Sequence, residues 1–283
     1  MNNNCKICNA NCTKIFSGEI LNKYRIDYFQ CNACHFIQTE NPYWLNESYS
    51  SAIASTDIGL VSRNISFQNI TSWIIKSYFD YKSKFLDYAG GYGLFVRLMR
   101  DKGFDFYRQD IYCENYFAKY FDITEHNEIT KFELVTAFEV FEHLANPIEE
   151  IGKIFEFSEV ILFSTELQPQ NKMNSIDDWW YFAKETGQHI SFYTIKSLEI
   201  VAEKMNCNLY SNNRNLHILT KKRLNSNPFE EWEKINKRIL IVRGLYKIIR
   251  FVENKFNKES NKVYIESFLM KDFEYVKNKI NRK

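Results

Sequence analysis

Glycine is scarce in this chain, with nine in 283 residues. Three of the nine fall within four positions of "FLDYAGGYGLFVRLMRDKG" (residues 85–103), so the cluster marks a place where a ligand meets the main chain. There is no run of 18 or more apolar residues, which argues against a membrane-spanning helix. The opening "MNNNCKICNANC" lacks the basic region and apolar stretch of a secretory signal, and the expected location is the cytoplasm. No internal repeat occurs. A composition of 45% hydrophobic and 25% charged residues is ordinary for a globular protein with a sizeable core. The net charge of +2 hides an asymmetry: from Lys221 onward, 17 basic residues stand against 8 acidic ones. Such a segment is either a solvated helical face or an attractor of acidic partners.

Four of the seven cysteines lie in the first 34 residues, as "CKIC" (Cys5, Cys8) and "CNAC" (Cys31, Cys34). Two C-x2-C knuckles can close one tetrahedral thiolate site, and four thiolates leave no open position, so a structural zinc is expected. Cys12 and His35 are close enough in sequence to substitute as ligands. Cys113 and Cys207 stand alone and read as core residues.

A polar joint follows, then a helical pattern through Phe67, Ile70, Trp73, Ile74 and Phe79. From there the chain alternates. "KFLDY", "FDFYRQD", "FELVTAF" and "EVILFST" read as strands, and "LFVRLMRDKG", "YCENYFAKYF" and "PIEEIGKIFEF" as helices. "TIKSLEIVAEKMN" adds a helix and "LHILTKK" a late strand. This alternation predicts an α/β fold with a doubly wound, mostly parallel sheet. Past Pro228, Ile235, Ile239, Val242, Tyr246 and Ile249 form an apolar stripe in a basic helical tail. The stripe is expected to dock on the core or on a second copy of the chain. The expected divisions are 1–45 (zinc-binding module), 46–80 (connecting helical segment), 81–225 (core) and 226–283 (tail).

The glycine turn joins the first core strand to its helix, where backbone N–H groups can meet a ligand. A Walker loop needs a Gly-Lys-Ser/Thr ending that "GGYGLF" lacks. A dinucleotide fingerprint would place a third glycine where Val96 stands, and Asp87 would sit close to a pyrophosphate. The carboxylate suits a cationic ligand better.

"LDYAGGYG" resembles the D-x-G-x-G-x-G motif of class I S-adenosylmethionine-dependent methyltransferases, with Asp87, Gly91 and Gly93 matching and Ala89 in place of the first glycine. The resemblance implies a seven-stranded Rossmann-like sheet and a cofactor site at Asp87, Ala89, Gly90, Gly91 and Gly93. An alanine at this turn is tolerable if its φ stays negative. Asp110 matches the acidic residue that binds the ribose hydroxyls. "AFEVFEHLANP" is similar to the E-V-L-E-H-x-x-D-P pattern, which implies that Phe138 and Glu139 line the cofactor and that Glu142 and His143 stand at the substrate mouth.

The resemblance reaches outward to bacterial deoxysugar C-methyltransferases, which carry a comparable zinc module and a Tyr/Ser-rich joint; Tyr49 and Ser51 are candidates there. "TGQHISFYTIKSLE" is similar to their Tyr-His-Glu-His stretch, so His189 is the candidate base and His143 its reserve. Thr186 and Gln188 replace the tyrosine and glutamate, which favours O-methylation over C-methylation. "DDWWYF" (177–182) is either an aromatic lid over a sugar or core packing. His217 reads as a core histidine and His126 as a loop residue.

The sequence therefore leads to the expectation of a methyltransferase that uses S-adenosylmethionine and structural zinc on a small-molecule or nucleotide-linked sugar, with self-association through the C-terminal helices. One rival is an RNA methyltransferase, but the first 45 residues hold few basic groups and no Asp/Asn-Pro-Pro-Tyr motif occurs, so a nucleic-acid partner is not expected. The other is an inactive scaffold, against which the matching Asp87, Gly91, Gly93 and Asp110 argue.

Overall fold

The computed structural model describes residues 4–49, 58–237 and 266–280. Ser51 and the stripe positions Ile239, Val242, Tyr246 and Ile249 lie outside them.

The N-terminal segment forms an antiparallel hairpin of β1 (Cys12–Ile20) and β2 (Tyr24–Cys31), to which β3 (Ile37–Thr39) adds. Leu21 and Asn22 both adopt positive φ, as the centre of a type I′ turn demands, and with Lys23 they form the loop between the paired residues Ile20 and Tyr24. Phe16, Ile20, Ile26 and Tyr28 are buried among Trp179, Tyr181, Phe182 and Phe192, so this hairpin gains its core from a segment some 150 residues later in the chain. Part of that segment is β8 (Ser191–Phe192), which pairs with β3 and completes the small sheet in the order β1-β2-β3-β8.

After α1 (Leu45–Ser48) and α2 (Leu60–Tyr78) comes the main sheet: β4 (Lys84–Tyr88), β5 (Asp105–Gln109), β6 (Leu134–Ala137), β7 (Val160–Ser164), β9 (Asn208–Ser211) and β10 (Leu216–Thr220). Its order is β5-β4-β6-β7-β10-β9. The first four strands run parallel, while β10 pairs antiparallel with both β7 and β9. Helices α3 (Leu94–Asp101), α4 (Pro147–Phe155) and α5 (Ile195–Lys204) connect them. β6 and β7 are wholly buried, as strands covered on both faces must be.

Two expectations are corrected. The sheet has six strands among the described residues, in mixed rather than mostly parallel sense. Where a seventh would extend the β5 edge, one parallel bridge joins Arg108 to Asp122. The helix expected over "YCENYFAKYF" is absent, because side chains capture the backbone groups a helix would use. Asp110 accepts from the N–H groups of Tyr112 and Cys113, Arg108 donates to the Cys113 carbonyl, and Asn115 bonds both the N–H and the C=O of Ala118.

The C-terminal part contains α6 (228–237) and α7 (Leu269–Ile280). Trp232 of α6 packs against Trp73 of α2. α7 is fastened by a bidentate pair in which Arg100 donates from Nε and Nη2 to Asp272, each at 2.8 Å, with Arg97 at 3.0 Å. No helix among the described residues is long and apolar enough to cross a membrane.

Arg100 and Asp272 are both buried, so deleting Asp272 empties two donors of a guanidinium in a dry site and leaves it only Asp105 and the Phe106 carbonyl as partners. Asp272→Ala is expected to cost about 3 kcal/mol in denaturant unfolding. A change under 0.5 kcal/mol would show that α7 is not anchored there.

Candidate active site

The glycine turn stands at the C-terminal end of β4. Gly91 (φ +53) and Gly93 (φ +84) take left-handed backbone, and a Cβ on Gly93 would lie 2.6 Å from Asn115 Oδ1. Gly90 is required for another reason: its Cβ would meet Asp87 Oδ2 at 2.7 Å. Ala89 departs from expectation. Its φ is +53, so the alanine occupies the conformation for which the usual glycine is suited, at a cost of about 1 kcal/mol. Gln109 opposes it, its side-chain oxygen accepting from Ala89 N–H and its carbonyl from Gly90 N–H.

Asp87 is buried, and its Oδ1 accepts from the Thr136 hydroxyl at 2.7 Å. Burial pushes its carboxyl up to about 7, a rise the Thr136 bond moderates. Asp110 does more than wait for a ribose. Its Oδ2 accepts from Gly91 N–H at 2.9 Å and its Oδ1 from Tyr112 and Cys113, so it clamps the turn to the following loop and has about one acceptor position left. Arg108, which sequence reasoning did not single out, closes the other side by donating from Nε to the Gly91 carbonyl and from Nη1 to Asp122. The available signal was a charged residue at an inward position of a strand.

Phe138 stacks on Phe67 of α2 at 4.2 Å and meets Phe95 of α3 edge-on. Glu139 has φ +55; its N–H donates to Ser164 Oγ, whose hydroxyl donates back to Glu139 Oε1. Its other oxygen faces Arg63 at 3.5 Å.

The turn after β6 presents Glu142 and His143, and the segment before β8 presents His189. Main-chain bonding holds the two together, with Ile190 N–H donating to the Glu142 carbonyl and Ser191 Oγ to that of Leu144. The imidazoles of His143 and His189 meet edge to face, 4.9 Å apart. Carbonyls only accept, so Gln188 O at 3.1 Å fixes the proton of His143 on Nδ1, and Tyr181 O at 2.7 Å does so for His189. Both Nε2 atoms therefore carry lone pairs. Burial lowers His143 to about 4, and burial with the neighbouring His143 lowers His189 to about 3, so both are neutral at physiological pH.

Tyr49 joins the two halves, its hydroxyl 3.1 Å from His143 Nδ1 and its ring stacked on Tyr112 beside Asp110. In "DDWWYF", Trp179, Tyr181 and Phe182 are core residues, while Trp180 is 75% exposed. His217 is a core histidine, bonded to Ser211 and the Thr165 carbonyl. His126 belongs to a loop, bonded to the Tyr120 carbonyl.

At the N-terminus the four expected cysteines converge, with Sγ separations of 3.6 Å (Cys5–Cys34), 3.4 Å (Cys8–Cys31) and 3.6 Å (Cys8–Cys34). A disulfide would need about 2.05 Å, whereas four sulfurs about 2.3 Å from one ion lie roughly 3.8 Å apart. Asn9 and His35 each close a knuckle with positive φ, their N–H groups donating to the carbonyls of Cys5 and Cys31. His35 is thus a turn residue rather than a substitute ligand. Cys12 stays apart, its thiol on the Ala10 carbonyl and pushed up to about 12 by burial.

Residues 67–212, just over half of the chain, match the family model described as a methyltransferase domain. The chain belongs to that methyltransferase family. It carries a methyltransferase domain on an α/β core, and it spans 62% of the length of the first of the solved structures below. Among solved structures it is similar to the CurJ carbon methyltransferase, at 6% identity over 65% of this chain and 62% of that one, with a TM-score of 0.42. The plantazolicin methyltransferase BpumL, solved with a monoazolic desmethylPZN analog and SAH, matches at 12% identity over 64% and 93%, TM-score 0.42. An O-methyltransferase family protein from Burkholderia thailandensis matches at 13% identity over 66% and 69%, TM-score 0.38. No curated protein matches the sequence.

The raised Asp87 gives a signed prediction. A carboxyl near 7 when folded and about 3.8 when unfolded stabilises the cofactor-free methyltransferase while protonated, and that contribution falls by about 1.4 kcal/mol per pH unit between roughly pH 4 and 7. Asp87→Asn should flatten the stability–pH curve in that window. Parallel curves for variant and wild type would contradict the burial argument.

Proposed function

We propose that this methyltransferase transfers the methyl group of S-adenosylmethionine to a hydroxyl of a sugar or sugar derivative, with a carbon acceptor as the second choice. The observation that carries the reading is an unbroken path of contacts from the cofactor turn to the two histidines: Gly91 to Asp110, Asp110 to Tyr112, Tyr112 to Tyr49, Tyr49 to His143, and His143 to His189. Asp87 and the Gly90–Gly93 turn hold the cofactor, while Phe138 and Glu139 line it. The remaining acceptor position of Asp110 takes a ribose hydroxyl. His189, its Nδ1–H held by Tyr181, offers Nε2 to the acceptor hydroxyl as general base, with His143 in reserve. Exposed Trp180, packed edge-on against Tyr181, offers a face on which a sugar ring can stack.

The four-cysteine cluster holds structural zinc, which fits the sulfur separations and the donor set. Its second knuckle is seated on the start of α5, where Thr194 Oγ1 donates to the Cys34 carbonyl and Lys196 Nζ to that of Ala33. The zinc therefore supports the same segment that carries His189. The basic C-terminal helices, on this reading, serve association between copies.

Calorimetry with S-adenosylhomocysteine tests the cofactor site: wild type should bind and Gly90→Ala should lose at least about tenfold in affinity, since its methyl displaces the Asp87 carboxylate. Equal affinities would move the site elsewhere. With a panel of nucleotide-sugars as acceptors, His189→Ala should slow turnover by about 10²–10⁴ at unchanged cofactor affinity; a loss of only a few-fold would remove the base. Purified protein should carry about one zinc per chain, lost together with N-terminal folding in Cys31→Ser. Zinc-free protein with an intact N-terminus would reject the metal.

A further inference from the structure

Glu142, His143 and His189 each offer a ligand atom within 4.8 Å of the other two. We propose that this trio binds a divalent transition-metal cation whose open positions take oxygen atoms of the methyl acceptor; the acceptor half of this proposal rests on the methyltransferase reading above.

Three observations support it. The first is Glu142 itself, which is completely buried with neither carboxylate oxygen hydrogen-bonded. The hydroxyls of Tyr181 and Thr165, which bond each other at 3.4 Å, lie close enough to favour its ionised form but make no hydrogen bond of normal geometry to it. A buried carboxylate in that state calls for a partner, and a cation is the partner that two neutral imidazoles can share with it. The second is the orientation of the histidines. Each donates Nδ1–H to a main-chain carbonyl, Gln188 for His143 and Tyr181 for His189, and so turns an Nε2 lone pair free for coordination. Metal-ligating histidines are held in this way. The third is spacing: the three ligand atoms lie within 4.8 Å of one another, and two ligands about 2.1 Å from one ion lie at most about 4.2 Å apart, so an inward shift of no more than about 0.6 Å closes the site.

Two imidazoles and one carboxylate suit manganese, iron, cobalt, nickel or zinc better than the hard calcium or magnesium. Three protein ligands leave positions open, unlike the closed four-thiolate cluster. With an ion seated, the two histidines serve as its ligands, and the acceptor hydroxyl, made more acidic by the cation, gives its proton to solvent water instead of to His189.

Mn(II) is the probe, added after loosely held zinc has been removed by dialysis so that one zinc per chain stays in the thiolate cluster and none competes at the trio. Electron paramagnetic resonance titration of the full chain should show about one bound Mn(II). Glu142→Gln and His189→Gln should each weaken binding tenfold or more, while S-adenosylhomocysteine affinity, which reports a folded core, stays within a few-fold. Should either variant lose S-adenosylhomocysteine binding, His143→Gln replaces it. Absence of Mn(II) binding at 1 mM metal, about the weakest affinity of interest, or equal binding in the folded variants, would overturn the proposal. Failure of wild type to bind S-adenosylhomocysteine while Mn(II) still binds would instead overturn the methyltransferase assignment and leave the ion site standing.

Discussion

The cofactor end of the sheet depends on one buried guanidinium. Arg108 lies inside β5 at 2% exposure and spends its donors on the Gly91 carbonyl, Asp122 and the Cys113 carbonyl. These bonds join three stretches that regular secondary structure leaves unpaired: the glycine turn, the loop after β5 and the lone bridge at the sheet edge. With Arg108 in place, Asp110 can turn its carboxylate onto Gly91 from the opposite side. A turn built from an alanine and two glycines at positive φ has little preference of its own for a single shape, so the charge-assisted bonds around it supply the rigidity.

The end that carries His143 and His189 is organised by a different device. Residues 181–193 are wedged between the two sheets: Trp44 Nε1 donates to the Gly187 carbonyl, Leu21 N–H to Lys184, and Tyr193 hydroxyl to Phe141. A side chain at Gly187 would press on Ile20 and Ser48, so the wedge is narrow there. The placement of His189 is thus a product of packing between the N-terminal hairpin and the core, and the four-cysteine cluster and the segment that carries His189 are mechanically connected.

What the sequence disclosed follows from which signals are local. The parallel strands β4, β6 and β7 were legible because they are short apolar runs broken by helices of about ten residues. The glycine turn, the cysteine knuckles and Asp110 were legible because their chemistry depends on spacing along the chain. The hairpin β1–β2 was not, since the residues that bury it come from 173–192. Nor was the irregular path over 112–121, where Asp110, Arg108 and Asn115 outcompete helical hydrogen bonding. The positive φ of Ala89 contradicted the expectation of an ordinary alanine, because the turn's geometry is imposed by its surroundings. His143 and His189 could be named individually, but their pairing required the strand-like bonding between residues 142–144 and 190–191, and Arg108 was one polar residue among several in the strand 104–110, where alternation alone did not mark it as buried.

The pairing of β3 with β8 bears on how the polypeptide is made. The hairpin and both cysteine knuckles leave the ribosome some 150 residues ahead of the strand that covers their open edge. Until then β3 exposes unpaired main-chain groups beside apolar side chains, a surface prone to pairing with other nascent chains. An early thiolate-bound ion would keep β1 and β2 in register through that interval, acting as a folding jig whose usefulness ends when Ser191 and Phe192 lock into place. On the proposed metal reading, the chain would be most vulnerable to misassembly when that ion is scarce during synthesis, long before any question of turnover arises.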